Sequence, residues 1–262
     1  MLQSYPVDLS ILRCPHDGGA VERSSPSRLA CSSGHGFAVD GCVVDFLPPR
    51  AAHVVGLARA MVYDALLPRW TLQHLFGVRP ALLEELHELA AGAARGGTLV
   101  DAPCGSALFS AEAAVRAGIA RYVGLDASAP MLRLARRRLV GAGVPDALLV
   151  AADLLAPPLA PGSADAVVTS LGLQFVAPRE VALGSLARLL RPGGRLYGAA
   201  PALGLRASYD RRHQTRRVKD FPLDAATLSD ELGRAGFVDV TVRREGALLV
   251  WTSVRAAPRS GP

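Results

Sequence analysis

The sequence predicts an α/β chain built on an open, largely parallel sheet, and three observations carry that expectation. Three apolar, β-prone runs, Thr98-Leu-Val-Asp101, Tyr122-Val-Gly-Leu-Asp126 and the run closing at Ala151-Ala-Asp153, end in order at a carboxylate or a small-residue turn. An open parallel sheet binds ligands at the carboxyl ends of its strands, so three such ends mark one rim. The chain then closes with Phe237 to Arg244 and Ala247 to Arg255 as strands joined at Glu245-Gly246, an antiparallel hairpin that an all-parallel dinucleotide fold lacks. Ahead of all this, residues 1–48 form a compositional unit of their own, a small β-ribbon.

Composition bounds the possibilities. The chain has 262 residues, half of them hydrophobic, enough for one mid-sized α/β domain with a small appendage. No apolar run reaches the ~18 residues of a membrane span, and Met1 to Ser10 has neither a basic n-region nor an h-region. A soluble, cytoplasmic protein with no membrane partner is the expectation, and nothing in the sequence speaks to oligomeric state. Three of the four cysteines fall in the first 42 residues and the other is Cys104, which is not a secreted disulfide framework. The formal charge of +6 is carried mainly by Arg in an Ala-, Pro- and Gly-rich chain, so coding bias suffices to explain it. One basic run stands out, residues 211–219, after the fifth strand; it lacks the interleaved aromatics that stack bases.

In the ribbon, Cys14-Pro-His-Asp17 and Cys31-Ser-Ser-Gly-His35 are two turns that each offer soft ligands across a short hairpin. A structural zinc compensates such a segment for its missing core. The segment resembles the N-terminal zinc-binding ribbon of large-subunit rRNA guanine methyltransferases, whose pattern is Cys-x2-Cys, a spacer, then Cys-x3-His. Cys14, Cys31 and His35 match; Asp17 stands at the second cysteine, with His16 as the alternative fourth ligand. The competing reading is a ribbon without metal, held by Phe37, Val39, Val43 and Phe46, with Cys42 in the core.

Residues 51–95 read as a helical cap with breaks at Pro68 and at Gly77 to Pro80. Met61 to Trp70 resembles the helix that precedes the sheet in quinone-pathway methyltransferases, where an aromatic lies over cofactor and substrate. That makes Tyr63 a candidate site residue, while packing accounts for Trp70.

At the rim, the residue types fit an adenosine carrying an amino-acid tail. Asp101 closes the first strand and suits an ammonium, Gly105 admits close backbone approach, and Ser106 leads toward a helix over Ser110 to Ala117. Asp126 is placed to accept from both ribose hydroxyls, and Asp153, with backbone near Leu154, to meet an adenine. G-x-G-x-x-G is absent after the first strand, which argues against a nicotinamide dehydrogenase.

Four blocks, Val100 to Ser106, Gly124 to Leu132, Ala164 to Phe175 and Leu186 to Leu196, resemble the class I S-adenosylmethionine-dependent methyltransferases over residues 98 to about 255. The resemblance implies a Rossmann-like, seven-stranded sheet over residues 96–256 with a tail at 257–262. It implies S-adenosylmethionine held by Asp101, Pro103, Cys104, Gly105, Ser106, Asp126, Ala127, Met131, Asp153, Leu154, Ser170 and Leu171. One departure is that Gly105 stands alone in a loop that usually carries two or three glycines. A helix over 179–190 is expected to stop at Pro192, with Gly193 and Gly194 turning into a new strand, and a further helix over Leu223 to Ala235. The loop after the fourth strand offers Gln174 where quinone-type relatives often have a histidine, and His213 in the basic lid is the alternative base. Methyl transfer to a small molecule in specialised biosynthesis, largely by proximity and orientation, is the leading expectation. An rRNA base methyltransferase, with nucleic acid as partner, and a degenerate non-catalytic protein are the alternatives.

Overall fold

A computed structural model describes residues 8–47, 77–79, 81–144, 146–202 and 223–257. Within them, β1 (Val21–Ser25), β2 (Arg28–Cys31), β3 (Gly36–Asp40) and β4 (Val43–Asp45) form an antiparallel meander. After α1 (Leu82–Ala93), strands alternate with helices: β5 (Thr98–Asp101), α2 (Ser110–Ala117), β6 (Arg121–Asp126), α3 (Ala129–Ala142) and β7 (Ala147–Ala151). Then follow β8 (Ala164–Ser170), a short 3-10 turn at Leu173–Phe175, α4 (Arg179–Leu189), β9 (Leu190–Pro201), α5 (Ala225–Arg234), β10 (Phe237–Glu245) and β11 (Leu248–Arg255).

The strands join in one sheet of order β1-β2-β3-β4-β7-β6-β5-β8-β9-β11-β10. The seven from β7 to β10 run parallel except for β11, which pairs antiparallel with both β9 and β10. This is the expected Rossmann-like methyltransferase sheet with its terminal hairpin. The ribbon joins this sheet at its edge. β4 pairs parallel with β7, Val44 opposite Val150, and the Phe46 N–H donates to the Ala151 carbonyl at 2.9 Å. A central-type strand such as β7, buried on both faces, would otherwise expose a bare edge.

Alternation along the strands divides the interior. Val100, Val123, Leu148 and Val150 face a core shared with the ribbon, α4, α5 and Trp251, while Leu99, Tyr122, Leu149 and Val168 face α1, α2 and α3. The helix ends follow their sequence signals. Ser128 caps α3 through the Met131 N–H with Pro130 in the first turn, Asp224 caps α5 through the Thr227 N–H at 2.9 Å, and Gly118 and Gly143 end α2 and α3 in the left-handed region. A bidentate Arg79–Glu85 pair, with Arg79 Nε also 2.8 Å from Glu245, anchors the start of α1 against the hairpin. α4 is joined to α5 by the buried Arg179–Glu231 pair, at 2.6 and 2.7 Å.

Pro192 does not separate helix from strand. β9 starts at Leu190, one residue after α4, and Gly193, at φ 77°, lies inside it where the pairing with β8 slips between Ala164 and Ala166. Proline has no N–H to give the ladder, and the two glycines let the strand bulge around that gap.

Farther along β9, Gly198 sits opposite Trp251 of β11, and a Cβ there would fall 2.1 Å from indole carbons of a side chain only 1% exposed. Gly198→Ala therefore overpacks the sheet at a cost of about 1–3 kcal/mol, a drop in Tm of roughly 2–10 °C. Thermal unfolding followed by Trp251 emission checks it, and an unchanged Tm contradicts this packing.

Candidate active site

Three strand ends come together at the carboxyl edge of the parallel sheet. Asp126, at the end of β6, turns toward the loop after β5, where its Oδ2 accepts the Gly105 N–H at 2.9 Å, and its Oδ1 accepts the Ser128 N–H at 2.8 Å. Each carboxylate oxygen has a further lone pair, so Asp126 keeps one acceptor site per oxygen for a vicinal diol. Burial pushes its pKa up to about 6 against the pull of those two amides.

The loop keeps the path of a glycine-rich turn despite its sequence. Gly105 and Ala107 both adopt positive φ, 53° and 54°, so an alanine occupies the left-handed region, at a cost of roughly 1–2 kcal/mol. Arg138 of α3 helps hold it there, donating to the Ser106 carbonyl at 2.6 Å and to its hydroxyl at 2.8 Å. Pro103 packs on the loop after β8, where a Cβ on Gly172 would fall 2.6 Å from its ring. The first turn of α2 has no side-chain cap, and its Ala111 N–H donates to the Ala107 carbonyl at 3.3 Å.

Asp101 lies beneath the loop, 1% exposed. Its Oδ2 accepts from the hydroxyls of Ser110 and, at 2.9 Å, Tyr122, whereas Oδ1 has no hydrogen-bond partner. Burial, with a smaller contribution from the Asp126 charge, raises its pKa to about 7 in spite of the two hydroxyls. A buried carboxylate oxygen without a donor fits a ligand ammonium, and with the diol acceptor above it the donor set suits S-adenosylmethionine.

The other candidates fall around this centre. Met131 and Leu154 are buried, Ala127 is half-buried, and Cys104 is 8% exposed with its N–H on the Leu125 carbonyl at 2.9 Å. Asp153 is exposed and accepts the Leu155 N–H of its own turn at 2.9 Å. Ser170 ends β8 with its hydroxyl 2.9 Å from His87 Nε2, and Leu171 follows at φ 52°. Gln174 is turned back on the same loop: its amide donates to the Leu171 carbonyl at 2.7 Å, while its Oε1 is buried without a partner. Tyr63, Trp70 and His213 lie outside the described residues, as does the basic run 211–219. His87, Tyr122 and Arg138 belong to the site but carry no sequence signal, since each reads as an ordinary member of a helix or strand.

In the ribbon, one ligand atom from each of Cys14, Asp17, Cys31 and His35 falls within 4.8 Å of the others. His35 Nδ1 lies 3.2 Å from Cys31 Sγ, 3.5 Å from Cys14 Sγ and 3.3 Å from Asp17 Oδ2, and the Cys31 Sγ to Asp17 Oδ2 distance is 3.3 Å. A tetrahedral zinc with bonds of about 2.0–2.3 Å spaces such atoms about 3.3–3.8 Å apart, so the set fits zinc. His16 is not in the cluster; its ring packs beside that of His35, centroids 4.6 Å apart, and Asp17 is the residue whose ligand atom joins the other three. Cys42 also lies outside it, against the second core cluster.

The rim makes nucleoside binding depend on pH. Both ribose hydroxyls need an acceptor-only group, so affinity for S-adenosylhomocysteine is expected to fall as pH drops through about 6 and Asp126 protonates. The stability of the free protein runs the other way. A carboxyl whose pKa is raised on folding favours the fold below its unfolded value of about 3.9, and that contribution is lost as pH rises through about 6. The thermal shift caused by S-adenosylhomocysteine should shrink from pH 8 to pH 5. Calorimetry on Asp126→Ala should show affinity about 100-fold or more weaker at pH 8, the loss of two hydrogen bonds to a charged group. Unchanged binding in the variant contradicts this site.

Residues 100–198 match the family model described as a methyltransferase domain. Demethylmenaquinone methyltransferase of Thermus thermophilus is 44% identical over 81 residues, 31% of this chain and 36% of that protein. The ubiquinone/menaquinone biosynthesis C-methyltransferase UbiE of Syntrophotalea carbinolica is 35% identical over 139 residues, 52% of this chain and 57% of that one. The chain thus spans about a third to somewhat over half of the length of these relatives. Phosphoethanolamine N-methyltransferase 2 of Haemonchus contortus, solved with phosphomonomethylethanolamine and S-adenosylhomocysteine, superposes with a TM-score of 0.61 at 14% identity, over 78% of this chain and 61% of that one. Residues 100–198 thus carry a methyltransferase domain, on the Rossmann-like fold of the S-adenosylmethionine-dependent methyltransferases.

Proposed function

We propose that the chain transfers a methyl group from S-adenosylmethionine to a small-molecule acceptor in specialised biosynthesis, with a structural zinc in its ribbon. The observation that carries the reading is the bridge from the Gly105 N–H to Asp126, which joins the first two strand ends into one acceptor site for a ribose. When bound, the cofactor supplies an electrophilic sulfonium methyl. The protein contributes the rim with its buried Asp101 and half-buried Asp126 and a closely packed loop after β8, and among the described residues no free side chain stands at that loop as a strong base. Catalysis by proximity and orientation follows, since alignment alone supplies about 7–11 kcal/mol of a barrier. The quinone-pathway relatives support an aromatic hydroquinone as the first acceptor class.

Transfer of labelled methyl from S-adenosylmethionine to naphthohydroquinone tests the reading, with an rRNA hairpin in parallel. Methylated naphthol product with no RNA product is the expected result. Transfer to RNA alone, with steep salt dependence, supports the rRNA alternative, and binding of no cofactor supports a non-catalytic protein. Metal analysis of the same preparation should return about one zinc per chain. Cys31→Ser should lose it and lower the Tm, because a structural zinc contributes its binding energy to folding; a metal-free wild type of equal Tm contradicts the zinc.

A further inference from the structure

Beneath the rim, α1 sends a polar side chain, His87, into an otherwise apolar face. His87 is 2% exposed, and both ring nitrogens are engaged: Nδ1 lies 2.7 Å from Ser110 Oγ and Nε2 lies 2.9 Å from Ser170 Oγ. Ser110 donates in turn to Asp101 Oδ2. A chain of four residues therefore runs from a buried carboxylate at the end of β5 to a half-buried hydroxyl at the end of β8.

The donors fix its direction. At pH 8, above the Asp101 pKa of about 7, the carboxylate can only accept, so the Ser110 proton is spent on Asp101 and the Ser110 oxygen is left to accept from His87. Burial lowers the imidazole pKa to about 3, so the ring carries a single proton, and that proton lies on Nδ1. Nε2 then has a lone pair and takes the O–H of Ser170. With its proton turned inward, Ser170 offers only oxygen lone pairs to the rim. Leu171, next in the chain, is held at φ 52°, a conformation that a leucine rarely adopts and that accumulates at functional turns.

We propose that His87 is a positioning residue that holds the Ser170 hydroxyl as a hydrogen-bond acceptor at the rim, where it receives an O–H of the methyl acceptor. The proposal rests on the methyltransferase reading and adds to it the residues that orient the acceptor. A hydrogen bond drawn from a phenolic hydroxyl raises electron density at the adjacent ring carbon, which is what a carbon nucleophile needs. No full proton transfer to the imidazole is required. A purely structural role for His87 would satisfy the same hydrogen bonds but would place no constraint on Ser170's outward side.

Long-range proton–nitrogen spectra of the labelled protein with S-adenosylhomocysteine at pH 8 read the chain directly, the His87 signals being assigned by their loss in His87→Gln. The expected result is a neutral ring protonated at Nδ1, with the Nε2 signal alone moving in Ser170→Ala. A ring protonated at Nε2 overturns the proposal. In methyl transfer to naphthohydroquinone, Ser170→Ala should lose about tenfold in kcat/KM, the loss falling on the KM for the hydroquinone. Ser170→Thr should restore most of it. An unchanged kcat/KM in Ser170→Ala also overturns the proposal. The spectra report on the chain whether or not this hydroquinone is turned over, so failure of the acceptor class and failure of the relay give different results.

Discussion

The hydrogen bond from the Gly105 N–H to Asp126 is the interaction on which the site depends. It spans two neighbouring parallel strands at the edge where their carbonyl ends are free. A loop after β5 with only one glycine has little reason to turn back toward β6 unless something there accepts its amide. Asp126 does so, and the Arg138 contacts to Ser106 close the other side. The loop thus reaches the positive φ angles of a glycine-rich turn with alanine at position 107, the strain being offset by these ties.

The same edge depends on the ribbon. β7 leads to Asp153, and its outer side is completed by β4, a strand over 100 residues earlier in the chain. A zinc at Cys14, Asp17, Cys31 and His35 would fix the two ribbon turns that support that strand, linking metal occupancy to the geometry of the adenine side of the rim. On the opposite face, α1 brings His87 under the rim between Ser110 and Ser170, so both faces of the sheet contribute to one edge.

The strand ends were legible because burial on both faces writes parallel strands as continuous apolar runs, and because Asp126 and Asp153 stand where those runs stop. α4 was legible from its flanking Pro192, although Pro192 proved to lie within a bulged strand. The union of β4 with β7 was not, since pairing across so many residues leaves no local periodicity. Nor was His87: one histidine in an amphipathic helix reads as a packed residue, and only the fold shows serines at both its nitrogens. Alanine's positive φ at position 107 is equally invisible, because the residue type argues against it.

The most direct measurement is a crystal structure of the protein with S-adenosylhomocysteine. The account places the ribose diol on the two Asp126 carboxylate oxygens and the amino-acid tail over Gly105 and Asp101. A nucleoside bound away from Asp126, or a loop at Gly105 detached from it, would contradict the account.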